Sequence, residues 1–218
     1  MKYLYAPGCA LMCYKPALSD LLKNTIQSRY GEMDHLLTCC FNAPQTVDDE
    51  VCIITPCTTC HRNYQKKYPQ AKVVWFLEEL AESETFDFPD YGGAEMSIQD
   101  TCSARADELY LKTIRRLLER MNIRLVEPKA SGKSAKCCGQ IFYDKLPLEK
   151  VESYMQKRAL EMPVTDVVVY CASCIQAMAV GGRRPRYILD LLFNEPTEIV
   201  GDGVVSWNNS LKQFRQTH

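Results

Sequence analysis

Val164-Thr-Asp-Val-Val-Val-Tyr-Cys-Ala-Ser-Cys174 is a run of β-branched residues opening directly onto a CxxC motif, and Val51-Cys-Ile-Ile-Thr-Pro-Cys-Thr-Thr-Cys60 repeats the arrangement earlier in the chain. Each reads as a strand whose end presents two thiols at the start of a helix. Upstream of each CxxC stands an adjacent pair, Cys137-Cys138 or Cys39-Cys40, and further upstream a lone Cys102 or Cys9. Each lone cysteine follows a short strand candidate, 2–6 or 95–99, and precedes a helical pattern. That pattern is Leu18, Leu21, Leu22 and Ile26 in the first round and Leu109, Leu117, Leu118 and Met121 in the second, with Gly31 and Asn122 as stop signals. Past the CxxC motifs, Val74-Trp-Phe-Leu-Glu-Glu-Leu80 parallels Arg186-Tyr-Ile-Leu-Asp-Leu-Leu192.

Alternating strands and helices, met twice, predict an α/β fold of two pseudo-symmetric Rossmann-like lobes with largely parallel sheets, related by internal duplication. The lobes are expected at 1–93, the shortened one, and at 94–218, which ends in a C-terminal tail. The acidic stretch 82–93, ending Tyr91-Gly-Gly93, reads as their linker. The segment between pair and CxxC is half as long in the first round (41–56) as in the second (139–170). The extra length holds a helical pattern at 147–162, carried by Leu148, Val151, Met155 and Leu160.

Composition narrows the function. A chain of 218 residues that is 46% hydrophobic and 24% charged supports a real core. It holds no apolar run long enough to span a bilayer and no basic start followed by an apolar stretch, so a cytoplasmic protein without membrane insertion is expected. Lys plus Arg at 26 against Asp plus Glu at 27 leaves a net charge of -1, which offers nucleic acid no attractive field. Twelve cysteines need a reason, and a disulfide framework belongs to short secreted chains. Metal or cluster ligation is the leading idea. In parallel α/β sheets, sites gather beyond the carboxyl ends of the strands, where these thiols emerge, and a CxxC at a helix start lies among N–H groups that stabilise thiolate.

The pattern Cys102, Cys137-Cys138-Gly139, Cys171-Ala-Ser-Cys174 resembles the cysteine-rich CCG domain. Its tandem duplication over about residues 2–194 is similar to the CCG-domain component of heterodisulfide reductase. The resemblance implies one or two non-cubane 4Fe-4S clusters, with the paired cysteines bridging irons. Cys102, Cys137, Cys138, Cys171 and Cys174 would hold one, and Cys9, Cys39, Cys40, Cys57 and Cys60 the other. It implies disulfide- or thiol-linked redox chemistry on a small thiol or disulfide substrate. Electrons would come from a ferredoxin-like iron–sulfur subunit and a flavoprotein, because the chain has no ferredoxin-type cysteine run of its own. The first round departs from the family in its shorter gaps and in Phe41, which stands where the motif has Gly.

Rival readings remain open. Zinc suits four thiolates and is often held by two CxxC pairs, although each round offers five thiols. A zinc-stabilised scaffold and a non-catalytic electron-transfer or assembly subunit are the alternatives. A thioredoxin-like CxxC would leave the other cysteines without a role. Ser131-Gly-Lys-Ser134 looks like the end of a phosphate loop, but Glu127 stands where that loop requires Gly, so an exposed loop is expected. Cys52, inside a strand candidate, reads as packing. Cys13 reads as a spare thiol, a substitute ligand or a redox thiol; His61 as a partly exposed helix residue, a ligand or a proton donor. His35 and His218 give no signal, and Arg183-Arg184-Pro-Arg186 reads as a solvated charge cluster or an anion contact.

Overall fold

The computed structural model describes residues 1–44, 46–48 and 50–218. The chain forms two compact units, Met1–Leu80 with Asn208–His218, and Ala81–Trp207.

In the first unit the chain runs β1 (Lys2–Tyr5), α1 (Cys9–Tyr14), α2 (Pro16–Tyr30), β2 (Asp34–His35), β3 (Val51–Thr55), α3 (Thr58–Lys67), β4 (Lys72–Trp75) and α4 (Phe76–Ala81). Its four strands form one sheet in the order β2-β1-β3-β4, every neighbouring pair parallel. All five β3 residues are buried, as expected of a central strand covered on both faces. Pro16 at the first turn of α2 breaks the helical pattern after Tyr14, since proline is tolerated there but disfavours helix in the residue before it. Gly31, at φ 77, ends α2 where the sequence places its stop.

The second unit runs β5 (Ala94–Gln99), α5 (Glu108–Arg120), β6 (Ile123–Leu125), α6 (Leu148–Leu160), β7 (Asp166–Val169), α7 (Ala172–Val180), β8 (Arg184–Tyr187) and α8 (Ile188–Leu192). Its sheet has the order β6-β5-β7-β8, again entirely parallel. Strand for strand this is the first sheet repeated: an α/β architecture of two Rossmann-like lobes. Asp107 caps α5 by accepting from the Leu109 N–H at 2.9 Å, and Asn122, at φ 52, turns the chain out of it. Helix α6 lies between the paired cysteines and β7. The first unit has no helix at that place among the described residues.

The stretch 82–93 contains no helix or strand and packs on the second unit. Arg120 donates to the carbonyls of Ala81 and Ser83, at 3.2 and 2.7 Å, and lies 4.3 Å from the Phe88 ring centroid. The tail expected to extend the second lobe instead forms α9 (Val204–Thr217), whose residues from Asn208 on belong to the first unit. There Asn42 donates to the Arg215 carbonyl at 2.9 Å. Among the described residues no helix is long and apolar enough to cross a membrane.

Candidate functional site

The lone cysteines follow β1 and β5, the adjacent pairs follow β2 and β6, and the CxxC motifs follow β3 and β7. In each sheet these three strands are neighbours and parallel, so their carboxyl ends deliver all the thiols of one round to one edge of the lobe. The convergence is thus a product of strand order. Cys57 and Cys171 occupy the N-cap positions of α3 and α7, which place each CxxC across the first turn of its helix.

Within each unit the five sulfurs run as a chain of contacts, and the order is the same in both. In the first, Cys9 lies 3.9 Å from Cys39, which meets Cys40, then Cys60, then Cys57. In the second, Cys102 meets Cys137, then Cys138, then Cys174 at 3.3 Å, then Cys171. All twelve cysteines are free thiols. Among the described residues no group of three or more His, Cys, Asp or Glu side chains is placed so that it could hold a metal ion.

Electrostatics repeats as well. Cys39 is pulled down to about 2 by its contacts with the thiols of Cys40 and then Cys9. Cys137 is likewise pulled down to about 2, by Cys102 and then Cys138. Their partners move the other way: Cys9 is pushed up by its contact with Cys39, Cys102 by its contact with Cys137, and Cys40 to about 12 by its contact with Cys39. Cys171 falls to about 7, chiefly through the Cys174 thiol and with help from the N–H groups of Ser173 and Cys174. Negative charge therefore settles on the first member of each adjacent pair.

The surroundings of the two sets differ, and the differences explain the departures in the sequence. Gly139 sits at φ 104, and a Cβ there would lie 2.9 Å from the Met155 Cγ of α6. Without an equivalent helix the first unit accepts Phe41, which is exposed and lies under the Arg215 guanidinium, 5.7 Å from its ring centroid. Asn63, one helical turn beyond Cys60, donates to the Cys40 sulfur at 3.2 Å; the corresponding residue in the second round is Ala177. Thr101 bonds Cys171, whereas the equivalent Gly8 brings bare backbone against Cys60.

Gly8 adopts φ 84 and ψ 145, close to a region only glycine occupies readily, and an added Cβ would stand 3.0 Å from the Cys60 sulfur. Gly8→Ala is expected to destabilise the first unit by about 1–3 kcal/mol. Chemical denaturation of the metal-free protein measures this, and an unchanged midpoint would contradict the strain argument.

Asp100, two residues before Cys102, is fully buried. It accepts from Arg115 at 3.1 and 3.0 Å, the Tyr170 hydroxyl at 2.8 Å and the Gly132 N–H at 2.6 Å. The Ser131–Ser134 loop is thereby tied to the sheet, and Lys133 pairs with Glu108. Trp207 donates to the Ser173 hydroxyl inside the second CxxC at 3.0 Å. Asp100, Asn63 and Arg215 carry no legible signal in the sequence, since each matters through a partner distant along the chain.

Among the other residues singled out, Cys52 is buried in β3 and its thiol is pushed up by burial. Cys13 donates to the Ser210 carbonyl at 3.6 Å. His61 is buried, with Nε2 3.3 Å from the Val73 carbonyl oxygen, so the expectation of a partly exposed residue is corrected: that face of α3 packs toward β4. Arg183 donates to the carbonyls of Ala159 and Met162, and Arg184 pairs with Asp166 at 2.5 Å, so both tie elements of the second unit together.

What fold and site define is a two-lobed parallel α/β protein carrying a duplicated five-thiol site. No known family pattern matches the chain, and no curated protein matches it. Among solved structures, an aspartate racemase from Picrophilus torridus is similar, with 11% sequence identity and a TM-score of 0.36, covering 99% of this chain and 98% of that one. The fold described above stands on strand order and register.

Proposed function

We propose that each five-thiol set holds an iron–sulfur centre of the non-cubane 4Fe-4S type, and that the chain is a cytoplasmic redox protein similar to the CCG-domain component of heterodisulfide reductase. The observation that supports this reading is the identical order of sulfur contacts in the two units, lone cysteine to pair to CxxC. The donor set fits the group: five soft sulfur ligands per site exceed the four of a structural zinc and suit a centre with several irons. In the second unit the ligands are Cys102, Cys137, Cys138, Cys171 and Cys174; in the first, Cys9, Cys39, Cys40, Cys57 and Cys60.

When bound, such a centre supplies electrons one at a time and, at an iron with an open position, a resting place for a substrate sulfur. The chain's own residues do the rest. Cys39 and Cys137 favour the thiolate without a neighbouring base, and at the start of α7 the Ser173 and Cys174 N–H groups favour the Cys171 thiolate. Burial of Cys40, Cys60, Cys138 and Cys174 keeps water from the inner sulfurs. Reducing a small disulfide takes two electrons and two protons and releases two thiols. The electrons come from a ferredoxin-like partner, itself served by a flavoprotein.

Protein purified without oxygen and reconstituted is expected to hold about eight irons with matching sulfide, about four for each centre. Iron, sulfide and zinc analysis with low-temperature electron paramagnetic resonance measures this. Zinc in place of iron after anaerobic handling would overturn the reading.

A further inference from the structure

We infer that Arg215, delivered by the C-terminal helix, is a positioning residue of the first centre, holding a positive charge against the Cys9 sulfur and raising the reduction potential of that centre alone. The inference rests on the iron–sulfur reading and adds a control element to it.

Residues Asn208–His218 belong to the first unit, and three contacts seat them beside its thiols. The Cys13 thiol donates to the Ser210 carbonyl at 3.6 Å. Asn42 donates its side-chain N–H to the Arg215 carbonyl at 2.9 Å, while the Asn42 backbone N–H bonds the Cys39 carbonyl at 2.7 Å, so the turn carrying the adjacent pair also anchors the helix. The Arg215 guanidinium lies 5.7 Å from the ring centroid of Phe41, the residue that follows the adjacent pair, and draws the Cys9 thiol down against the upward push of Cys39.

No equivalent serves the second set among the described residues. Arg105 acts on Cys102 through space and donates its Nη1 to the Ala135 carbonyl at 2.8 Å. The side chain that bonds a sulfur there is the neutral Thr101, on Cys171. Hydrogen bonds and positive charge at ligand sulfurs favour the reduced, more negative state of a centre, which raises its potential. A guanidinium does this without a proton equilibrium of its own near neutral pH. The duplicated sites are thus made unequal by a tail outside the duplication, and electrons settle preferentially on the first.

The test is a redox titration monitored by electron paramagnetic resonance in a Cys138→Ser background, where the first centre is observed alone. Arg215→Gln is expected to lower its reduction equilibrium constant about tenfold, which is about 59 mV for a one-electron couple. Arg215→Lys is expected to restore part of the difference. An unchanged potential in Arg215→Gln with iron intact would overturn the proposal. Loss of iron from Arg215→Gln but not from Arg215→Lys supports a need for the charge, and loss from both makes the residue merely structural, which also overturns it. Absence of iron from the unaltered first lobe is a different failure, that of the iron–sulfur reading itself.

Discussion

Cys138→Ser is expected to remove the second centre, leaving about half of the iron of the reconstituted chain, and Cys137→Ser to do the same, while Cys52→Ala leaves the iron unchanged. Cys138 sits in the middle of its contact chain, between Cys137 and Cys174, with the Cys174 sulfur 3.3 Å away. It is also buried. A serine oxygen is harder and reaches less far than a thiolate sulfur, so the replacement breaks the chain where both halves depend on it. Cys52 is equally buried, yet it lies within β3 opposite Lys72 in the register, before the strand end from which the CxxC departs. Losing its sulfur costs packing alone, on the order of 1 kcal/mol. Iron per chain in the three variants checks the assignment; equal content in Cys138→Ser and Cys52→Ala would remove its basis.

Most of the scaffold was legible because each local signal had one consistent reading. The β-branched run Val51–Thr55 is a strand over its whole length, and the run beginning at Val164 forms one at Asp166–Val169, where its residues pair with β5 and β8. The pattern of Leu148, Val151 and Met155 is α6, and its absence from the first round is why Phe41 can replace the glycine. The convergence of five thiols followed from the parallel-sheet rule once the strands were placed. The tail was not legible. Helix α9 lies outside the repeat, so no counterpart sequence hinted that Arg215 would reach Cys9. His61 was misjudged for a similar reason: its burial depends on β4, whose packing against α3 no local pattern around the CxxC expresses.

Asp100→Ala is expected to destabilise the second unit by about 3–5 kcal/mol, because removing one partner of a buried ion pair strands the other. Three groups lose their acceptor at once: the Arg115 guanidinium, the Tyr170 hydroxyl and the Gly132 N–H. Arg115 keeps Glu127, at 2.7 Å, but that carboxylate is exposed and replaces little of what a buried one supplies. Lys133→Ala, which breaks an exposed pair with Glu108, is expected to cost no more than about 1 kcal/mol. Denaturant midpoints of the metal-free variants measure both, and similar values would show that Asp100 is not a keystone. The consequence reaches the site through sequence position. Asp100 precedes Cys102 by two residues, Tyr170 directly precedes Cys171, and Gly132 lies on the loop leading to Cys137-Cys138. One carboxylate thus ties together the three segments that carry the second set of thiols. The first round has Pro7 and Pro56 at the places of Asp100 and Tyr170, so its thiols are positioned instead by the close approach of Gly8 to Cys60 and by the Trp75 N–H bonded to the Pro56 carbonyl at 2.8 Å. The two halves share a strand order and a pattern of thiols but hold that pattern by different means, so Asp100→Ala should weaken metal loading in the second unit and leave the first intact.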